Sequence, residues 1–430
     1  MNLLIIHQAF VPPTQPGGTR HFELANHCIA QGHRVSIVAS DLDYLTGTRR
    51  TERARLLTIE HLGNLRVLRA YTFDSLHRSF VWRVFSFLTF MVTSVWAGLR
   101  AGPVDLVMGT SPPIFQTISA WLVSVILWRP FLLEIRDLWP EFAIDMGVLT
   151  NPVLITMSRW LERFLYARAT HLLVNSPAYR DYLIAKGISP TKISLIANGV
   201  DSRMFDPDAD GGELRARLGL EDRFVVIYAG ALGIANDIET LLRAADRLRE
   251  EPNIQFLVIG AGKERWNLER EASRLGLPNL RFVGTCPKSE IPLYLSAADA
   301  CVAILQDTPM FRTTYPNKVF DYMAAARPTV LAIDGVIRSV VEAAEGGIFV
   351  APGDDAALAA AVRCLANDRQ SARLMGQSAR RYVQQHFNRQ QQAHEFVELV
   401  ERLAARRSAQ RDTATAATTE NDSPHCEKSA

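Results

Sequence analysis

Residues 309–334 read PMFRTTYPNKVFDYMAAARPTVLAID, and the rest of the chain is most easily understood outward from them. An apolar run, ACVAIL (300–305), leads into this stretch, and a second, Thr329-Val330-Leu331, follows Arg327-Pro328. Both runs are short and unbroken, as buried parallel strands are. Between them the sequence predicts a short helix opening at Pro316, since proline suits the first helical position, where its missing N–H would be unpaired anyway. Lys318 then falls in the first turn, where the helix macrodipole disfavours a cation by ~0.3–1 kcal/mol. An anion resting on the free amides around Asn317 and Lys318 would reverse that penalty. Asp321 follows one turn later on the same helix face. Amides and a lysine for phosphates, with a carboxylate for ribose hydroxyls, suit a nucleoside diphosphate. A solvated lysine and a surface aspartate on an ordinary helix are the plainer alternative.

Upstream, the same grammar repeats. FVVIYAG (224–230), IQFLVIG (254–260) and LRFVG (280–284) read as strands, each followed by a loop and helical sequence. Alternating strand and helix imply a parallel sheet with right-handed crossovers. Gly230, Gly233, Gly260 and Gly262 fall just beyond strand ends, the edge on which such sheets bind nucleotides, and Lys263 stands beside them.

The first half is a second copy of this pattern. LLIIH (3–7), a loop, a helix over FELANHCIAQG and the strand RVSIVAS form one β-loop-α-β unit. Gly17-Gly18 precede that helix, where missing side chains let backbone amides approach a ligand, although such pairs also make ordinary turns. Arg20 is placed to neutralise an acceptor phosphate or to be a solvated first-turn residue. The strand in FLLEIRDLWPE (131–141) ends in Arg136-Asp137, directly beyond a parallel strand, where α/β sheets hold ligands. The competing role for Arg136 and Asp137 is a buried pair holding the turn. Asp41-Leu42-Asp43 is too sparse a ligand set for a divalent cation and reads as loop charge. Asn198-Gly199-Val200-Asp201 is a turn signal, and DPDADGG (206–212) has linker character.

The stretch PNKVFDYMAAARP resembles the donor-binding signature of family 4 retaining glycosyltransferases, P-x-K-x-x-E-Y-M-A-x-G-x-P, and RDLWPE resembles a string in the subgroup that builds bacterial surface polysaccharide, including N-acetylfucosamine transferases. The resemblance covers nearly the whole chain. Of the family's acidic E-x7-E pair, Asp321 stands at the second position and Thr313 at the first, and Ala326 replaces a glycine. It implies two Rossmann-like domains facing a cleft (GT-B): 1–203 for the acceptor, 204–385 for the nucleotide sugar and a helix at 386–407 crossing back; the small, polar composition of 408–430 reads separately as a disordered tail. It also implies that Gly17 and Gly18 face the cleft, that Gly230 and Gly233 approach the diphosphate, and that Val283 and its neighbours frame the base. Asp137 would serve the donor sugar or the acceptor, with Arg136 adding positive charge. Ala231 and Asn236 replace the first-loop Arg and Lys that many members carry, so more of the phosphate charge falls to Lys318. The implied reaction moves a sugar, such as an N-acetylated deoxyaminosugar, from a UDP-linked or other nucleotide donor to a polyprenyl-diphosphate-linked glycan. No metal or resident cofactor is implied. A sugar-nucleotide 2-epimerase and a non-catalytic nucleotide-sugar-binding scaffold are the rival readings.

With 430 residues, 48% of them apolar, and a net charge of +2, the chain has ample core and no polyanion signature, so nucleic acid is not an expected partner. Its five cysteines lack metal spacing and fit reduced thiols in a cytoplasmic protein. The apolar N-terminus reads as a first strand and not as a signal peptide. VFSFLTFMVTSVWAGL (84–99) and SPPIFQTISAWLVSVILW (111–128) are each shorter than the ~20 residues a spanning helix needs and read as buried helices. Arg78, Arg83, Arg100, Trp82 and Trp96 around the first open a second reading, peripheral contact with the inner membrane.

Overall fold

The computed structural model describes residues 1–43, 47–50, 54–74, 80–209 and 211–420. The N-terminal domain contains strands β1 (Asn2–Ile6), β2 (Arg34–Ser40), β3 (Leu57–Leu62), β4 (Leu65–Ala70), β5 (Leu106–Ser111), β6 (Phe131–Ile135), β7 (His171–Val174) and β8 (Ile193–Leu195). They lie in the order β3-β4-β2-β1-β5-β6-β7-β8, all parallel except the antiparallel β3–β4 pair. That edge hairpin has no counterpart in the sequence reading. Its signal is the alternating exposure of β3 ahead of the Gly63 turn.

Helices α1 (Arg20–Ala30), α2 (Phe80–Leu99), α3 (Phe115–Ile126), α4 (Glu141–Asp145), α5 (Pro152–Arg168) and α6 (Pro177–Ala185) connect these strands. α2, α3 and α5 share one face, with Phe90, Ala120, Val123 and Leu165 in its core. α5 starts sharply because the Asn151 side chain accepts from the amides of Val153 and Leu154 and Pro152 fills the first turn.

The C-terminal domain opens with α7 (Gly212–Leu218), then runs β9 (Phe224–Ala229), α8 (Ile238–Arg247), β10 (Ile254–Ile259), α9 (Arg265–Leu275), β11 (Leu280–Gly284), α10 (Ile291–Ser296), β12 (Ala300–Ile304), α11 (Asn317–Ala324), β13 (Thr329–Ala332), α12 (Val336–Ala343) and β14 (Gly347–Phe349). The sheet order β11-β10-β9-β12-β13-β14 is parallel throughout. In each sheet the order reverses beside the first strand, β1 or β9, and the crevice at such a switch point is where open α/β sheets bind ligands.

Three helices follow: α13 (Asp355–Asn367), α14 (Arg369–His386) and α15 (Arg389–Glu420). The return crossing lies against the outgoing one, with the Val200 amide donating to the Phe387 carbonyl at 3.1 Å and the Arg389 amide to the Val200 carbonyl at 3.1 Å. α15 then packs Phe396, Val397, Val400 and Leu403 against Leu3, Ile5 and Leu132 of the first sheet. Each such buried side chain contributes roughly 1.5–3 kcal/mol, which pins the end of the chain to its beginning. The helix runs past residue 407 to Glu420, so 408–420 is helical where a disordered tail was expected. Its Ala- and Arg-rich stretch after Leu403 favours helix. Residues 421–430 of that tail, and Arg78 beside α2, lie outside the described residues. Among the described residues no helix is long and apolar enough to cross a membrane.

Candidate functional site

The two switch points face each other across a cleft of about 440 Å³. The closed arrangement is held by Ser176, whose hydroxyl donates to the Thr313 carbonyl at 2.6 Å, and by the Asn198 amide, which donates to the Tyr315 carbonyl at 2.8 Å. Phe142 of α4 meets Phe311 with ring centroids 5.7 Å apart.

α11 begins one residue later than the sequence predicts, with Pro316 as its extended cap and not its first residue, and Pro316, Asn317, Lys318 and Asp321 all line the cleft. Lys318 Nζ donates to the Tyr228 hydroxyl and to Asn236 Oδ1, both at 2.9 Å, and lies 4.3 Å from the centre of the Tyr228 ring. Burial in this wall pushes its ammonium down to about 7. Asn317 Oδ1 is buried with no hydrogen-bond partner among the described residues. Such orphaned acceptors are rare in native proteins, and a ligand that donates a hydrogen bond would satisfy this one.

Gly230 and Gly260 line the cleft, but each glycine of these loops has its own reason for lacking a side chain. A Cβ on Gly230 would sit 2.7 Å from Lys318 Nζ, so this glycine makes room for the lysine. Gly260, at φ +146°, would place a Cβ 1.8 Å from the Gly230 carbonyl oxygen, and Gly262 would meet the Leu232 carbonyl oxygen at 2.1 Å. These two seat loop on loop. Gly233, Gly262, Lys263 and Val283 are not among the residues lining the cleft. Lys263 is exposed, and Val283 packs against the core below.

On the opposite wall, Gly17, Gly18 and Arg20 line the cleft. Arg20 departs from its expected role as a free cation for an acceptor phosphate. Its Nε donates to Glu134 at 3.0 Å, and its remaining nitrogens donate to the carbonyls of Ala197 and Ile196 at 2.9 and 2.8 Å. Burial pushes the guanidinium down to about 10 against the pull of Glu134. Burial would raise the Glu134 carboxyl, but His21, at 2.6 Å, together with Arg20 and Arg136 holds it well below the usual carboxylate range. His21 in turn packs on His7 with ring centroids 4.1 Å apart. The cluster ties α1 to the ends of β1, β6 and β8 and fixes the wall on which Gly17-Gly18 sit.

Arg136 and Asp137 follow β6 at the sheet edge as expected, but neither is among the residues lining the cleft. Burial pushes the Asp137 carboxyl up to about 6, while Arg136 and the Tyr179 hydroxyl, hydrogen-bonded to it, pull it back. Tyr179 also bonds to the side chain of Thr313, the position where the resembled motif carries Glu. The Thr313 hydroxyl itself donates to the Met310 carbonyl at 2.5 Å. Asp41, expected as loop charge, is buried, ion-paired with Arg49, and accepts from the Thr72 amide at 2.9 Å. Among the charged residues that line the cleft, sequence reasoning missed Lys288, Glu23 and Arg389. Glu23 and Arg389 pair at 2.7 Å, and Lys288 pairs with Asp321. No motif marks them, since each partner is distant in sequence.

Two Rossmann-like domains presenting their switch points to one cleft, with a lysine at a helix start in its wall, make this a GT-B protein. Solved structures share that architecture. Sucrose-phosphate synthase from Thermosynechococcus elongatus superposes with a TM-score of 0.75 at 22% identity, over 94% of this chain and 99% of that one. Anabaena HepE in complex with UDP and glucose gives 0.70 at 20% identity, over 93% and 99%. Residues 17–199 match the family described as Glycosyl transferase 4-like domain, and residues 211–382 match Glycosyl transferases group 1. The chain is therefore a glycosyltransferase, of the 4-like kind in its N-terminal domain and of group 1 in its C-terminal domain. A relative from Escherichia coli, named for glycosyl transfer in colanic acid biosynthesis, is 23% identical over 84% of this chain and 91% of its own.

Proposed function

We propose that the protein takes a sugar from a UDP-linked donor and transfers it, with retention of anomeric configuration, to a hydroxyl of a polyprenyl-diphosphate-linked glycan in cell-surface polysaccharide (O-antigen, capsule or exopolysaccharide) biosynthesis. The observation that carries this reading is the α11 start, where Pro316, Asn317 and Lys318 line a cleft of nucleotide size. The colanic acid relative supports the pathway class, and HepE with bound UDP supports the donor base. The chief chemical task is to stabilise the departing diphosphate. Preorganised amides and a cation in a closed cleft do this without a metal ion. The Lys318 ammonium and the α11 amides take that role. Asp137 does not itself line the cleft, and from the end of β6, with Arg136 beside it, its assigned part is to shape the subsite for the sugar and the incoming hydroxyl. Asp137→Asn is expected to lower kcat for transfer to a lipid-linked acceptor by about a hundredfold at unchanged folding, the usual scale for a positioned polar group. Wild-type kcat in this variant would remove Asp137 from the reaction.

The acceptor places the enzyme in the cytoplasm, peripherally on the inner membrane. α2 exposes Trp82, Phe85, Leu88, Val92, Trp96 and Leu99 at helical spacing, and α2 and α3 carry no acidic residue. α3 is buried along its middle, but Trp128 just beyond its end is exposed. α5, unremarked in the sequence, adds Val153, Met157 and Trp160 to the same layer, linked to α3 through Phe164 and Trp121, whose centroids are 4.9 Å apart. Exposed Arg100, Arg163 and Arg168 border these apolar residues, the combination that seats a protein in an anionic interface. In a flotation assay the wild type is expected to rise with phosphatidylglycerol vesicles, and Val92→Glu/Trp160→Glu to bind at least tenfold less. A wild type left in solution would contradict the membrane contact.

A further inference from the structure

Lys288 lies in the single turn Lys288–Glu290 between β11 and α10, and its side chain reaches to the carboxylate of Asp321 on α11. Both side chains are about one-seventh exposed, at 15% and 14%, and both line the cleft beside Thr285 and Cys286. The ion pair engages one proton of the ammonium and Oδ2 of the carboxylate, and among the described residues no hydrogen bond reaches Oδ1. Two half-satisfied charged groups of opposite sign therefore stand side by side in the cleft wall. They lie one helical turn from Lys318, about 4.5 Å along the α11 axis at ~1.5 Å per residue.

The chemistry that fits is a pair of neighbouring hydroxyls. A hydroxyl both donates and accepts, whereas a carboxylate alone only accepts and an ammonium only donates. Asp321 is also one methylene shorter than the Glu of the resembled motif, so its carboxylate stays closer to its own helix. The ammonium of Lys288, brought to the same wall by the turn after β11, covers that missing reach.

We propose that Lys288 and Asp321 act as one reader of the ribose 2′,3′-diol, Asp321 accepting from one hydroxyl and Lys288 donating to its neighbour, which makes Lys288 a determinant of ribonucleotide over 2′-deoxyribonucleotide recognition. This rests on the donor-site reading above. Binding of UDP and of 2′-deoxy-UDP is measured by calorimetry for wild type and Lys288→Met. The wild type is expected to prefer UDP at least tenfold, and Lys288→Met to bring the two affinities within threefold, chiefly by weakening UDP. A preference kept at tenfold in Lys288→Met, or equal loss of both ligands, would overturn the role of Lys288 alone. No UDP binding by the wild type would overturn the donor-site reading and this inference together. Should Lys288→Met fail to fold because Asp321 is left unpaired, the comparison is made on Asp321→Asn, where no buried carboxylate is stranded. There, adding Lys288→Met must lower the UDP preference further, and an unchanged preference would refute the proposal.

Discussion

The ammonium of Lys318 is held by Tyr228 and Asn236 in a wall that leaves it poised near neutrality, with Gly230 cleared of side chain to admit it. Below pH about 7 it is charged and ready for a diphosphate. Above that pH it is neutral in the empty cleft, and binding must take up a proton. Diphosphate affinity is therefore expected to fall as pH rises from 7 to 9, by up to about tenfold per unit. Lys318→Arg keeps its charge over that range and should bind with a flatter profile, measurable by calorimetry in buffers of different ionisation enthalpy. Identical profiles for the two proteins would remove Lys318 from the linkage. The position of this residue was legible because proline, lysine and aspartate at fixed helical offsets are a local pattern. Its tuning was not, since Tyr228 and Asn236 arrive from another strand end and the loop after it.

At the scale of elements, the buried cluster of Arg20, His21 and Glu134 shows how a residue that reads as a ligand contact becomes a strut. Its partners are more than a hundred residues apart, and nothing local in the sequence around Arg20 announces Glu134. Glu134→Gln would leave a buried guanidinium without its counter-charge and is expected to destabilise the protein by ~3–5 kcal/mol in urea unfolding. A variant as stable as the wild type would show that the cluster does not fix α1 to the sheet. The strands and most helices were readable because each is a short apolar run or a periodic segment. Two features escaped. The β3–β4 hairpin was overlooked in a chain otherwise patterned as β-α units. The loop-on-loop seating of Gly260 and Gly262 depends on which loops the sheet order makes neighbours.

Over the whole molecule, the repeated β-α grammar was enough to specify two parallel sheets, because strand burial and crossover handedness leave few alternatives, whereas the returning helix came only with the family resemblance. The cleft was legible in part. Its α11 wall is one contiguous stretch, whereas its closure depends on pairs such as Ser176 with Thr313, 137 residues apart. The central claim is that this cleft takes a nucleoside diphosphate at the α11 start, without a metal ion. UDP titrated into the wild type and into Lys318→Ala, in the presence of EDTA, tests it most directly. The account expects tight wild-type binding that the substitution weakens at least tenfold, about 1.4 kcal/mol. Equal binding by the two proteins, or wild-type binding that vanishes with EDTA, would contradict it.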